Sequence, residues 1–90
     1  MNSKSIAVIY DRPLDVLHIA VGKPSPYLGN GYARGVEIDF DLSTGTACGA
    51  KVIGFRGNGW DTDVNSLARF VALLLSANNR DILFAIQRAI

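Results

Sequence analysis

Residues 36–42, VEIDFDL, alternate apolar and acidic side chains without a break, and Ser43-Thr44-Gly45 follow at once. Successive side chains of a strand point to opposite faces, so Val36, Ile38, Phe40 and Leu42 share one face and Glu37, Asp39 and Asp41 the other. A turn closed by a left-handed Gly45 folds the chain back through a tight loop with a bulge. That loop pairs Leu42 with Thr46, Phe40 with Cys48, Ile38 with Ala50 and Val36 with Val52, and it sets Glu37 opposite Lys51. A slip of one residue would turn every apolar side chain to water. A β-hairpin is the frame that the rest of the chain must fit.

The same logic applies upstream. Ile6, Val8 and Tyr10 alternate before the break DRPLD, and Leu17, Ile19 and Val21 alternate after it. If Asp11 meets Val16, the loop is Arg12-Pro13-Leu14-Asp15 and the two apolar faces coincide. Pro13 and Asp15 then serve the turn. Residues 22–35, GKPSPYLGNGYARG, are rich in glycine and hold two prolines. They read as a long loop, with Tyr27, Leu28 and Tyr32 folded back over the core.

Beyond GFRGNGW the period changes to that of a helix. Val64, Leu67, Ala68, Val71, Leu74 and Leu75 form one stripe, with Asp61 or Thr62 as N-cap and Asp63 in the first turn. After SANN, a second stripe of Ile82, Leu83, Ile86, Ala89 and Ile90 follows a cap at Asn78 or Asn79. The expected architecture is a single α+β domain over residues 1–90. It has a four-stranded antiparallel meander of two hairpins over 6–55, then a helical tail of two helices over 61–90 packing on the sheet.

Composition narrows the function. The chain is 49% hydrophobic and 19% charged, a high apolar share for ninety residues to hide in one small core. Ile9, Val16, His18, Ile53 and Phe55 fall on the outer sheet face, and Phe70 and Phe84 lie off the main helical stripes. These residues are the expected interface of a homodimer or of a complex with a protein partner. The net charge of +1 comes from scattered lysines and arginines, so no nucleic-acid partner is indicated. One cysteine, Cys48, rules out an internal disulfide; by the register it faces inward as an inert thiol. The N-terminus reads as neither signal peptide nor membrane span, which points to the cytoplasm.

Three constellations have chemical content. Asp11, Asp15 and His18 gather near one turn, where turn chemistry accounts for the aspartates and a strand position for the histidine. Glu37, Asp39 and Asp41 are spaced to hold a divalent cation, although strand alternation produces the same pattern and Lys51 answers one charge. Arg56, Gly57, Gly59 and Trp60 form a loop with an accessible backbone and a cation, suited to a small anionic ligand. Asp61 and Asp63 oppose an anion there, and Trp60 suits a plug at the junction of sheet and helix. No cofactor motif, nucleophilic triad or catalytic residue is apparent. The leading expectation is a non-catalytic association module; the alternative is a small ligand- or metal-binding protein or a weak hydrolase.

Tyr10-Asp11, Asp15-Val16-Leu17-His18-Ile19, GVEIDFDLSTG and CGAKVIGF together resemble the bacterial family catalogued as domain of unknown function 2283, over roughly residues 6–55. The resemblance implies the paired hairpins and hints at a partner-binding, antitoxin-like role. It assigns no catalytic residue. The glycine-rich loop between the hairpins and the helical tail depart from that family's pattern.

Overall fold

A computed structural model describes residues 5–22 and 26–90. Residues 1–4 and the 23–25 part of the inter-hairpin loop lie outside the described residues. The fold is α+β: one five-stranded antiparallel sheet and two helices. The strands are β1 (Ile6–Asp11), β2 (Val16–Val21), β3 (Tyr27–Gly31), β4 (Val36–Asp41) and β5 (Ala47–Ile53), and the helices are α1 (Val64–Leu75) and α2 (Asn79–Ala89).

The first hairpin has the expected register, from Asp11 against Val16 to Ile6 against Val21. The second has it over Val36–Asp39 but not beyond. Asp41 donates its N–H to Thr46 and accepts from Gly45, so the loop closes on Asp41 and not on Leu42. A bulge at Asp39/Phe40 absorbs the difference, and Phe40 pairs with Ala47. Cys48 is therefore displaced from its expected place opposite Phe40; half-buried, its Sγ contacts the Asp39 carbonyl at 3.4 Å. Leu42, expected inward, sits in the turn and is 63% exposed.

The expected four-stranded meander is corrected in two ways. Tyr27–Gly31 is a strand, pairing with β4, and the order across the sheet is β1-β2-β5-β4-β3. Alternation dictates faces and register, not which edge of one hairpin meets the next. Here the returning strand β5 joins the first hairpin, and the chain between the hairpins runs out to the far edge first. Tyr27, Leu28 and Tyr32 consequently stay exposed instead of covering the core. At Gly29 in that edge strand a Cβ would meet the Glu37 carboxylate, the movable end of a side chain.

Both helices cover the inner sheet face, α2 against β1 and α1 against β5. Leu17, Ile19, Ile38, Val52, Leu67, Val71, Leu75, Ile82 and Ile86 fill the layer between. A 3₁₀ turn, Trp60–Thr62, precedes α1, so the cap position falls on Asp63 and not on Asp61 or Thr62. Helix α2 is capped as expected by Asn78, whose side chain accepts from the N–H groups of Arg80 and Asp81. No helix of the described residues is long and apolar enough to cross a membrane.

Candidate functional site

Three polar clusters hold the candidate residues, and each is built by a different piece of local structure. The first joins the turn of the first hairpin to the segment after β5. Asp15 takes a left-handed backbone, φ 56°, which aims its carboxylate at residues 54–57. Its Oδ1 accepts from the Tyr10 hydroxyl at 2.8 Å and from the Arg56 N–H at 2.9 Å, while Oδ2 accepts from the Gly57 N–H at 2.9 Å. Its carbonyl accepts from the N–H groups of Gly54 and Phe55. The Arg56 Nε donates to the Tyr10 oxygen at 3.2 Å, and its guanidinium pairs with Asp61 at 3.6 Å.

The N–H groups of Arg56 and Gly57 hold the Asp15 carboxyl below its ordinary 3.8; partial desolvation opposes them, and the Tyr10 hydroxyl and Arg56 charge add to them. Tyr10 is raised above 10.0, first by desolvation and then by its bond to Asp15. The anion that this loop binds is thus internal. Two amides that would greet a phosphate or carboxylate already hold Asp15.

The second cluster surrounds Trp60, which is buried in the core. Its Nε1 donates to the Arg34 carbonyl at 2.9 Å, and the Arg34 guanidinium lies 3.7 Å over the ring. That guanidinium also donates to the Asn58 carbonyl and pairs with Asp63 at 3.5 Å. Gly59 keeps a left-handed turn, φ 80°, below the same guanidinium. Arg56, Gly57, Gly59 and Trp60 are therefore adjacent in sequence but serve two different joints. Nothing in the sequence marked Arg34 as the partner of Trp60.

The third cluster lies on the outer sheet face. The Lys51 ammonium donates to the Asp39 carboxylate at 3.1 and 3.3 Å, stands 3.8 Å from Glu37 and caps the Tyr27 ring at 4.1 Å. Burial alone would lower the lysine, but Tyr27 and Asp39 more than compensate and its affinity for the proton rises. Lys51 is thereby held as a cation, unsuited to nucleophilic attack. Asp39 is only 6% exposed although it points to the outer face. Its neighbours across the strands are Ala7, Ala20, Gly49 and Gly29, a row of small residues spanning the sheet. The next row is larger: Ile9, His18, Lys51 and Glu37. Between them lies a shallow hollow of about 180 Å³, bordered by Ile9, His18, Tyr27 and Lys51.

Asp41 does not join Glu37 and Asp39 around Lys51. Its Oδ1 accepts from Ser43 and Thr44 in its own turn. Among the described residues, no group of three or more His, Cys, Asp or Glu side chains is arranged to hold a metal ion. His18 and Asp11 share the outer face, whereas Asp15 turns away to the loop.

The expected interface residues divide. Ile9 is 67% exposed and Ile53 50%, both on the outer face, with His18 exposed and Val16 half-buried between them. Phe84 is 51% exposed on α2. Phe70 is half-buried and meets the Tyr32 ring edge-on at 6.0 Å. Phe55 is a correction: it lies past the end of β5, where the chain turns under the sheet, and it is fully buried against Tyr10 with ring centroids 5.3 Å apart. Strand alternation extrapolated through Gly54 placed it on the wrong side. Comparison of the chain with family models, with curated proteins and with solved structures finds no match.

Proposed function

We propose that the protein works by association and not by catalysis, and that its partner is a second copy of the same chain. One observation carries the reading: large apolar side chains stay exposed on both layers, Ile9 and Ile53 on the sheet and Leu73 and Phe84 on the helices. Single exposed leucines are ordinary, but repeated large ones on so small a domain mark a surface to be covered, and the two candidates are the outer sheet face around Ile9 and Ile53 and the α2 face around Phe84. The polar clusters support it, since each charge in them is already answered within the fold. Size-exclusion chromatography with light scattering at tens of micromolar tests the proposal. The expected mass is about twice the 9.7 kDa of one chain, and a clean monomer refutes it.

A second reading is favoured by the hollow beside Lys51, where Tyr27 and His18 flank a fixed cation. It is a small-ligand site. A thermal-shift screen with divalent cations and phosphorylated metabolites addresses it, with stabilisation that disappears in Asp39→Ala as the supporting result.

A further inference from the structure

We infer that the second copy docks on the free edge of β1, about a two-fold axis passing between Phe84 and Ala85 of α2. The inference rests on the self-association proposed above and adds where it takes place.

Strand β1 ends the strand order. The Gly22 N–H donates to the Ser5 carbonyl, and an antiparallel ladder alternates, so Ser5, Ala7 and Ile9 turn their backbone groups toward β2. Ile6, Val8 and Tyr10 turn theirs outward, and among the described residues no strand pairs with them. Natural edges are blunted by lysine, proline or a bulge, and glycine weakens a strand. The strand IAVIYD has none of these, and its one charge is at its end. The opposite edge, YLGNG, is interrupted by Gly29 and Gly31 and follows Pro26.

The helix above this edge carries the second half of the argument. Asp81, Phe84, Ala85 and Arg88 surround a hollow of about 240 Å³ together with Ile6 of β1. Their spacing of three, four and seven places them on one helical stripe. The stripe is acidic at its start, basic at its end and apolar in the middle. Antiparallel apposition about its midpoint brings Asp81 against the partner's Arg88 and Phe84 over the partner's hollow, where the buried Ala85 forms part of the lining. One rotation closes each of these contacts twice, as a two-fold interface requires. The same rotation runs the two β1 edges antiparallel, joining both sheets into one.

The test uses the full chain as wild type, Asp81→Arg, Arg88→Asp, the double swap of both, Phe84→Lys and Ile53→Lys. Light scattering over a dilution series gives the dimer dissociation constant, and circular dichroism verifies folding, since all the altered side chains are exposed. Each single reversal sets like charges opposite one another twice and should weaken the dimer about tenfold or more. The double swap restores it, Phe84→Lys dissociates it, and Ile53→Lys leaves it intact. A wild-type dimer that ignores the reversals, or a double swap that recovers nothing, overturns the β1–α2 contact. Dissociation by Ile53→Lys alone moves the contact to the outer face and leaves self-association standing, whereas a wild-type monomer overturns both.

Discussion

At the first hairpin Asp15 accepts from the N–H groups of Arg56 and Gly57, 41 and 42 residues further along the chain. At the second, Asp41 accepts from Ser43 and Thr44 inside its own turn, and Gly45 closes the loop. Both aspartates flank a hairpin loop, and both suit a turn for the same local reason. The difference lies in what the rest of the chain brings near. The turn of the second hairpin is closed largely within a few residues, and its Leu42 N–H also donates to the Pro26 carbonyl of the neighbouring edge segment. The turn of the first finds its partners only beyond the long loop, β3, β4 and β5 in the chain, so its bonds tie the first hairpin to the segment that follows the last strand. A two-layer fold this small gains cooperativity from such a tie, because it couples residues 54–57 to a hairpin that β5 and α2 also hold.

The largest effect that tests this contrast is at Phe55, the residue whose backbone Asp15 holds. Phe55 is fully buried and its ring packs edge-on to Tyr10. Phe55→Ala should cost about 3–5 kcal/mol through lost transfer energy and the cavity left behind. Urea denaturation gives the value, and a cost below about 1 kcal/mol would mean that the segment is not part of the core at all.

Gly35 comes next. It stands at the entry to β4 with φ 77°, and a Cβ there would strike the Ile53 carbonyl oxygen. Left-handed strain adds about 1 kcal/mol to an overpacking cost of roughly 1–3 kcal/mol, so Gly35→Ala should lose about 3 kcal/mol in the same urea titration. A loss near 1 kcal/mol would show that β5 can move away, and that this end of the second hairpin is as loose as its turn.

How much of this the sequence carried depends on the range of the contact. The registers of 6–21 and of 36–39 with 49–52 were legible because alternation and turn residues are local signals that agree. The apolar stripes of α1 and α2 and the Asn78 cap were legible for the same reason. The strand Tyr27–Gly31 was hidden, since its glycines read as loop and its pairing depends on β4. Strand order was hidden too, because both edges of a hairpin look alike in sequence. The outer row Ala7, Ala20, Gly49, Asp39 and Gly29 exists only once that order is known. Of the candidate sites, the charge pair Glu37 and Lys51 was visible, but Asp15 as the occupant of the 54–57 amides and Arg34 over Trp60 were not.

Asp15→Asn sharpens the comparison through pH. The folded state holds this carboxyl below its ordinary 3.8, chiefly through the N–H groups of Arg56 and Gly57. A depressed carboxyl contributes stability that is complete above the unfolded value and is lost as pH falls through the folded one. The wild-type melting temperature should therefore fall on acidification below about pH 4, from the unfolded carboxyl upward limit, and Asp15→Asn should lose that share of the decline. It should also melt lower at neutral pH, because an amide replaces one acceptor oxygen with a donor that faces an N–H. Identical acid limbs in the two proteins would show that the Asp15 tie does not hold the native state together.

The smallest effect belongs to the second turn. Gly45 has φ 75°, close to that of Gly35, yet nothing lies within 4 Å of where its Cβ would stand. Gly45→Ala therefore incurs backbone strain alone, about 1 kcal/mol. The two glycine variants share a backbone conformation and differ in surroundings, so the gap between their urea midpoints isolates the contact with β5 from the strain common to both. If Gly45→Ala proves as costly as Gly35→Ala, the second turn is tied into the fold like the first, and the distinction between a local and a long-range aspartate turn fails.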